Sequence, residues 1–534
     1  MHILMIGVEN GALPGAKVGG MGDVIGQAAT SLGEAGCRVT VMTPSHGFLH
    51  TLPGAAEMGS VDFLFRGSWH RASLFEVPGR PVCEEVRHLV VHHPWLDAFD
   101  PATGEHRIYV NDPPQSPFAG DASRFALFCA AAASAIPGQV VGIPDAVHLH
   151  DWHAAFLLIL RKFDPFHRDL QNIRTVFSIH NLALQGIRPL RGHDSSLEAW
   201  FPGLPYEWFD VADPRWPDCV NPMAAGIRLA DAIHTVSPSY AEEIVQPCDE
   251  PATGGGEGLE AALRYARDRG ILTGILNGCD YPEDYASQKM SFRALLDLLR
   301  SALVRWAGQR RMLPASHFIA QTRLLELERR GREPDVILTS VGRLVPQKLR
   351  LMRESGSIGA SSGLAHILDQ LGGSGLLFLL GTGDETYERF LTRLASRHDN
   401  FIFLNGYSDA CARALYANGD LFLMPSSFEP CGISQMLAMR DGQPCVVNAV
   451  GGLKDTVRDG VDGFAFTGRT CQEQVDRFVQ TTLGAVSLKQ DDPGRWDEIR
   501  RHALSARFSW AQTVRAYLEK LYTARSPGPE EQEV

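Results

Sequence analysis

A chain of 534 residues is too long for one hydrophobic core, so two domains of roughly 200–280 residues each are expected. Its 44% apolar and 21% charged residues are those of an ordinary globular protein, and a net charge of −12 argues against nucleic acid or an anionic membrane as partner. Ten scattered cysteines, with no CxxC pair and no zinc-spaced Cys/His cluster, fit reduced thiols in a protein without a metal. Met1–Glu9 is apolar but short and lacks the basic flank of a signal peptide. No apolar run approaches the ~20 residues of a membrane span, so a soluble, cytoplasmic protein is expected.

Residues 2–8 read as a first strand, followed by a glycine-rich loop with Lys17, Gly19 and Gly20, a helix from about Asp23 to Ala35 and a second strand, Cys37–Thr43. This βαβ opening admits two chemistries. Gly20, Gly22 and Gly26 fit a loose GxGxxxG for a dinucleotide pyrophosphate, but that site wants an acidic residue where the second strand runs into Thr43-Pro-Ser-His46. A sugar-nucleotide site would use Lys17 for charge and Gly19 and Gly20 for close backbone approach. A plain glycine turn with a solvated Lys17 fits the segment equally.

Residues 48–120 read as a β-rich insertion, Asp121–Ala130 as helix, and Val147-His-Leu-His150 as a strand ending at Asp151-Trp152-His153. Alternation puts His148 and His150 on one strand face; with no further ligand cluster, polar groups facing a cleft are expected rather than a metal. Arg174–His180 is the next buried strand, and His180 at its carboxyl end is either a satisfied core histidine or a cleft group. Ala230–Ser237 is another strand, and Ile271–Asp280 closes the domain with an Asn277-Gly278 turn.

Helices are expected over 292–330. The second domain then repeats the pattern with strands at Val336–Val341, Leu376–Leu380, Phe401–Tyr407, Asp420–Met424 and from Cys445, and a final amphipathic helix at about 508–522. Arg343 and Lys348, five residues apart after the first of these strands, form a candidate diphosphate clamp. Asp420–Met424 runs into Pro425-Ser-Ser-Phe-Glu-Pro-Cys-Gly-Ile-Ser-Gln435, which places Glu429 in a tight loop before a helix opened by Gly432. Ligands bind at such carboxyl strand ends. Capping of the helix is the alternative for Glu429.

The motifs Lys17-Val-Gly-Gly-Met-Gly-Asp-Val24, His150-Asp-Trp-His153, His180-Asn-Leu-Ala, Gly274-Ile-Leu-Asn-Gly-Cys-Asp280, Arg343 to Lys348, Gly381-Thr-Gly-Asp384, Phe428-Glu-Pro-Cys-Gly432 and Gly451 to Val457 stand in one order along the chain. In that order the sequence resembles bacterial glycogen synthases and plant starch synthases from residue 1 to about 520. The resemblance implies an α/β GT-B fold of two Rossmann-like doubly wound domains facing a cleft. It implies an N-terminal domain over 1–280, a nucleotide-sugar domain over 281–500, a C-terminal helix over 501–524 packing back on the first domain, and a disordered tail over 525–534. The implied activity is a retaining, metal-free transfer of glucose from ADP-glucose to the non-reducing end of an α-1,4-glucan.

The same resemblance implies the roles. Glu429 holds glucose hydroxyls, Arg343 and Lys348 stabilise the departing diphosphate with help from Lys17, and His180 lies near the reacting carbon. Tyr407 stacks adenine, Asn277 and Gln347 are polar cleft residues, and Gly19, Gly20, Gly381, Asp384, Cys431, Gly432, Ile433 and Ser434 complete the nucleotide-sugar side. Asp121, Asp151, Trp152, His153 and Asn181 line the acceptor side. The chain departs from the pattern in the Ser355–Gly363 run, which is flexible by composition, and at Leu437 and Lys454. UDP-glucose as donor, a small acceptor (a sugar phosphate or polyol), or a non-catalytic glucan-binding protein are the alternatives.

Overall fold

The structure is a computed structural model that describes residues 1–100, 104–248, 254–282, 287, 289–309, 312–357 and 361–523. The expected disordered tail lies outside the described residues. The chain divides into two compact units, the first being Met1–Asp249, Gly255–Asp280 and Ser509–Val534, the second Glu250–Gly254 and Tyr281–Phe508.

The first unit is built on a nine-stranded sheet. Its order is Leu272–Gly274, Ala232–Thr235, Arg174–Ile179, Ala146–His150, His2–Ile6, Arg38–Pro44, Val86–His92, Ser68–Glu76 and Ala56–Phe65. The first seven are parallel and the last two antiparallel. The inner parallel strands His2–Ile6 and Ala146–His150 are buried along their whole length, as strands covered on both faces must be. Ala56–Phe65 alternates buried and exposed residues instead, and turns into its partner through Arg66 and Gly67, both at positive φ, the conformation a two-residue hairpin needs. The β-rich stretch expected over 48–120 is thus strand-rich, and its strands within 56–92 extend the main sheet. The helix Gly20–Glu34 starts three residues earlier than its pattern suggests and buries Val24, Ile25, Ala28, Ala29 and Leu32, one face at helical spacing.

The second unit carries six parallel strands in the order Phe401–Asn405, Gly375–Gly381, Val336–Val341, Leu421–Met424, Cys445–Asn448 and Phe464–Phe466. Separate apolar clusters cover its two faces, one around Leu299, Leu324 and Met439, the other around Leu368, Leu391 and Phe478. Both sheets reverse strand order once: in the first unit between His2–Ile6 and Ala146–His150, in the second between Val336–Val341 and Leu421–Met424. A crevice opens at the carboxyl ends of strands at such a reversal.

The C-terminal helix expected over 501–524 is two elements. Pro493–Ser505 belongs to the second unit, and Trp510–Tyr517, continued by a wider turn over Leu518–Tyr522, belongs to the first. The described flanks of the Ser355–Gly363 run are pinned rather than loose: Ser355 bridges Ser362, and the Ser357 N–H donates to Asp476 at 2.9 Å. Residues 358–360 lie outside the described residues. Among the described residues no helix is long and apolar enough to cross a membrane.

Candidate active site

In the second unit, the two strands at the reversal deliver their loops to one place. Arg343 and Lys348 follow Val336–Val341, and Glu429 follows Leu421–Met424. The Lys348 ammonium donates to Glu429 Oε2 at 2.5 Å, and the Ser426 hydroxyl donates to the same oxygen at 2.9 Å. Glu429 is 5% exposed; its other oxygen, Oε1, meets no donor among the described residues. The loop is fixed from both sides. The Ser427 N–H donates to the Gln347 carbonyl at 2.8 Å, the Asn448 amide to the Ser426 carbonyl, and the Gly452 N–H to the Glu429 carbonyl.

Glu429 does not cap the helix behind it, which begins only at Ser434 and runs for seven residues. Gly432 takes φ +77° to make the turn, and Gln435 closes it by donating to the Cys431 and Gly432 carbonyls. Cys431 is buried, with Ile433 and Ser434 half-buried beside it. Arg343 is exposed and makes no hydrogen bond or ion pair among the described residues. Arg343, Lys348, Ser340 and Met424 line one recess at the strand ends.

Other expected members have structural occupations. Asp384 accepts from the Thr386 N–H at 2.7 Å and caps the helix Glu385–Arg397, which holds its carboxyl below the usual range. The Gly381–Asp384 turn is tied to the Arg343 loop by backbone bonds from Leu344 to Thr382 and from Asp384 to Leu344. Tyr407 is 56% exposed, its hydroxyl bonded to Asp409. Leu437 packs against the core and Lys454 is exposed.

In the first unit, the loop after His2–Ile6 carries Glu9, which the sequence reading missed. Its Oε2 accepts from the Val18 and Gly19 N–H groups at 2.8 and 2.9 Å, and its Oε1 from the Tyr109 hydroxyl at 2.8 Å. The carboxylate thus shapes the loop that presents Lys17. Lys17 is exposed and pairs with Asp23 at 2.8 Å. Gly19 is the residue before the first turn of the helix, and Gly20 its first. A side chain on Gly22 would come within 2.7 Å of the Lys17 Cβ and 3.1 Å of Glu9 Oε2, so this glycine serves loop–helix packing rather than a pyrophosphate cradle.

Across the reversal, Asp151 starts the helix Asp151–Phe163 at φ +57°, a left-handed conformation costly for a non-glycine residue. Its carboxylate accepts from the His180 N–H at 2.7 Å, and burial pushes it up to about 7. His180 Nε2 lies 2.9 Å from His150 Nδ1, and burial holds His180 down to about 3. His153 is likewise pushed down to about 3 by burial. Trp152 is 2% exposed and packs in the core against Phe118 and Phe125. Asn181 accepts from the Ala183 N–H.

Buried His150 Nε2, Trp152 Nε1, His153 Nδ1 and Asn277 Oδ1 have no hydrogen-bond partner among the described residues. Buried polar atoms are ordinarily satisfied, so this concentration at the strand ends fits a ligand-facing surface. Asp121 instead pairs with Arg124 at 2.8 Å in a buried knot that also takes in the Leu96 and Ile108 carbonyls. Burial raises its carboxyl to about 6. Among the described residues no three His, Cys, Asp or Glu side chains converge as a metal site requires.

Two family models match the chain: the starch synthase catalytic domain over residues 2–265 and glycosyl transferases group 1 over 364–482. The glycogen synthase of Streptococcus equi subsp. equi is 34% identical, with 97% of this chain and 99% of that one covered. That of Thermus thermophilus is 34% identical over 97% and 98%. In fold, the chain is similar to the catalytic domain of starch synthase IV from Arabidopsis thaliana bound to ADP and acarbose (TM-score 0.74, 24% identity, 98% of each chain). The two Rossmann-like units are those of the GT-B architecture, and the chain belongs to the glycogen synthase family of glycosyltransferases.

Proposed function

We propose that the protein is a retaining glucosyltransferase that moves glucose from ADP-glucose to the non-reducing end of an α-1,4-glucan, without a metal. The observation that carries this reading is Glu429, a buried carboxylate clasped through one oxygen by Lys348 and Ser426. Its free oxygen is available to sugar hydroxyls. Arg343, with no competing partner, and Lys348 supply fixed positive charge where a diphosphate would depart. Within the first unit, Lys17 and the helix that begins at Gly20 offer a cationic, N–H-rich element of their own. Family membership and the solved relative with ADP and a sugar analogue support the donor and acceptor classes.

In the reaction, the bond from glucose C1 to the diphosphate oxygen breaks while the acceptor hydroxyl oxygen bonds C1 on the same face. The hydroxyl proton passes to the departing diphosphate. Glu429 orients the glucose, and neutral His180 offers a hydrogen-bonding ring rather than a charge. Tyr407 is an exposed ring suited to stacking adenine.

The test offers the purified protein ADP-glucose or UDP-glucose with glycogen, maltose or glucose 1-phosphate, and no added metal. Glucan extension from ADP-glucose is expected. Transfer only from UDP-glucose, or only to the small acceptor, would replace this reading. Glu429→Ala is expected to cut kcat by about 100-fold or more with ADP affinity nearly unchanged; an equal loss of ADP affinity would remove Glu429 from the sugar.

A further inference from the structure

Asn277 sits just beyond Leu272–Gly274, an edge strand that pairs on one side only, with Ala232–Thr235. Past the end of that ladder, backbone bonding on the sheet side is sparse: Ile275 N–H to Thr235 at 2.9 Å and Asn277 N–H to Val236 at 3.3 Å. Yet Asn277 is 4% exposed and keeps its Oδ1 unpartnered. An unmet buried acceptor costs free energy, and a segment with one strand neighbour is poorly placed to hold it. What holds it comes from the other end of the chain.

The segment Ser509–Tyr522 grips every residue around Asn277. The Thr513 hydroxyl donates to the Leu276 carbonyl at 2.8 Å. Trp510 lies so close over Gly278 that a side chain there would meet the indole at 2.5 Å, while the indole N–H is anchored on Gln27 at 2.7 Å. Ser509 bridges Cys279 as a parallel strand would.

Ile275 is reached through a buried relay. Its carbonyl only accepts, so His234 Nε2 donates to it at 3.3 Å, and His234 Nδ1 accepts from the Ser178 hydroxyl at 2.7 Å. The Ser178 oxygen then accepts from His148 Nε2 at 2.6 Å, and His148 Nδ1 accepts from the Tyr522 hydroxyl at 2.7 Å. The Tyr517 ring packs against both histidines.

We propose that Thr513 and Tyr522 are positioning residues of the transfer reaction: the C-terminal strap, through the Leu276 carbonyl and the His148–Ser178–His234 relay, sets the place of Asn277. This rests on Asn277 acting in the proposed reaction. Thr513 and Tyr522 touch no substrate; they act through one buried amide. The strap also packs on the helix Gly20–Glu34, so one element braces both the Lys17 loop's helix and the Asn277 turn.

The test is a double-mutant cycle with hydrogen exchange. Thr513→Val keeps the shape and removes one hydrogen bond, and is expected to lower kcat/KM about fivefold. On an Asn277→Ala background the same change should cost less than about twofold, because residues acting through one another are not additive. Amide exchange over Ile275–Cys279 should speed up in Thr513→Val, and in Tyr522→Phe, with the remaining sheet of the first unit unchanged. The same loss in both backgrounds, no loss in the wild-type background, or unchanged exchange at Ile275–Cys279 overturns the proposal. A wild-type protein that transferred nothing from ADP-glucose would sink the proposed function, while the exchange measurement would still report on the strap.

Discussion

A lysine and a buried glutamate 2.5 Å apart form a pair in which each partner makes the other tolerable. Lys348 keeps about a fifth of its side chain in solvent, whereas Glu429 keeps 7%, so losing the lysine is the more costly change. Lys348→Ala leaves Glu429 with Ser426 alone, and is expected to destabilise the second unit by about 1–3 kcal/mol. It should also lower kcat by about 100-fold or more through loss of charge at the departing diphosphate. Lys348→Arg restores the charge but not the single-point contact, since guanidinium presents a planar fork, so stability should recover more than turnover. Urea midpoints and kcat for the two variants check both statements. A Lys348→Ala enzyme with full turnover would take Lys348 out of the site.

At the scale of elements, the loop from Gly7 to Gly19 has its first part tied by backbone bonds and the Asn10 side chain, and its last part, Val18 and Gly19, by the Glu9 carboxylate. Glu9→Ala would leave the Val18 and Gly19 N–H groups and the Tyr109 hydroxyl without their acceptor. The expected result is a KM for ADP-glucose raised about tenfold, with a stability loss of about 1–2 kcal/mol. Glu9→Gln should stay within about twofold, because its carbonyl can serve the two N–H groups while its NH2 meets the tyrosine oxygen. An unchanged KM in Glu9→Ala would mean that the loop stands by itself.

What the sequence revealed of these elements followed from burial. Val336–Val341 is a run of apolar and small residues covered on both faces, and its limits are legible to the residue. Val86–His92 is not, because Arg87, His88 and His92 break the run, and the hairpin beside it alternates; together they read as a β-rich insertion, whose strands extend the main sheet. The motif order points to Lys348 and Glu429, but nothing local says that a chain separation of 81 residues closes to a hydrogen bond. Glu9 lies three residues beyond a strand end, a position that the same strand-end rule covers. Tyr109 gives no local signal, since its role exists only through a contact 100 residues away.

At the scale of the whole molecule, acid acts first through the histidines of the first unit. Among the described residues, seven histidines of the first unit are the most deeply buried of those that burial keeps neutral. His46, His153 and His180 lie down at about 3, His88 and His234 at about 4, and His148 and His150 well below their ordinary value. In the unfolded chain each takes up a proton near pH 6.5. Below that pH the unfolded state binds more protons than the native one, so stability falls as pH drops toward 4, by up to about 1.4 kcal/mol per pH unit for each histidine. Asp151 at about 7 and Asp121 at about 6 work the other way, because the native state holds their protons more tightly and gains as pH falls below 7. Two carboxyls do not offset seven histidines. Calorimetry from pH 7.5 to 5, with peptide-level hydrogen exchange to assign the transitions, should therefore show the first unit's melting fall steeply. A level first transition would mean that these imidazoles reach solvent and proton in the native state. The Tyr522–His148–Ser178–His234 relay could not then be the neutral, directional chain its distances describe.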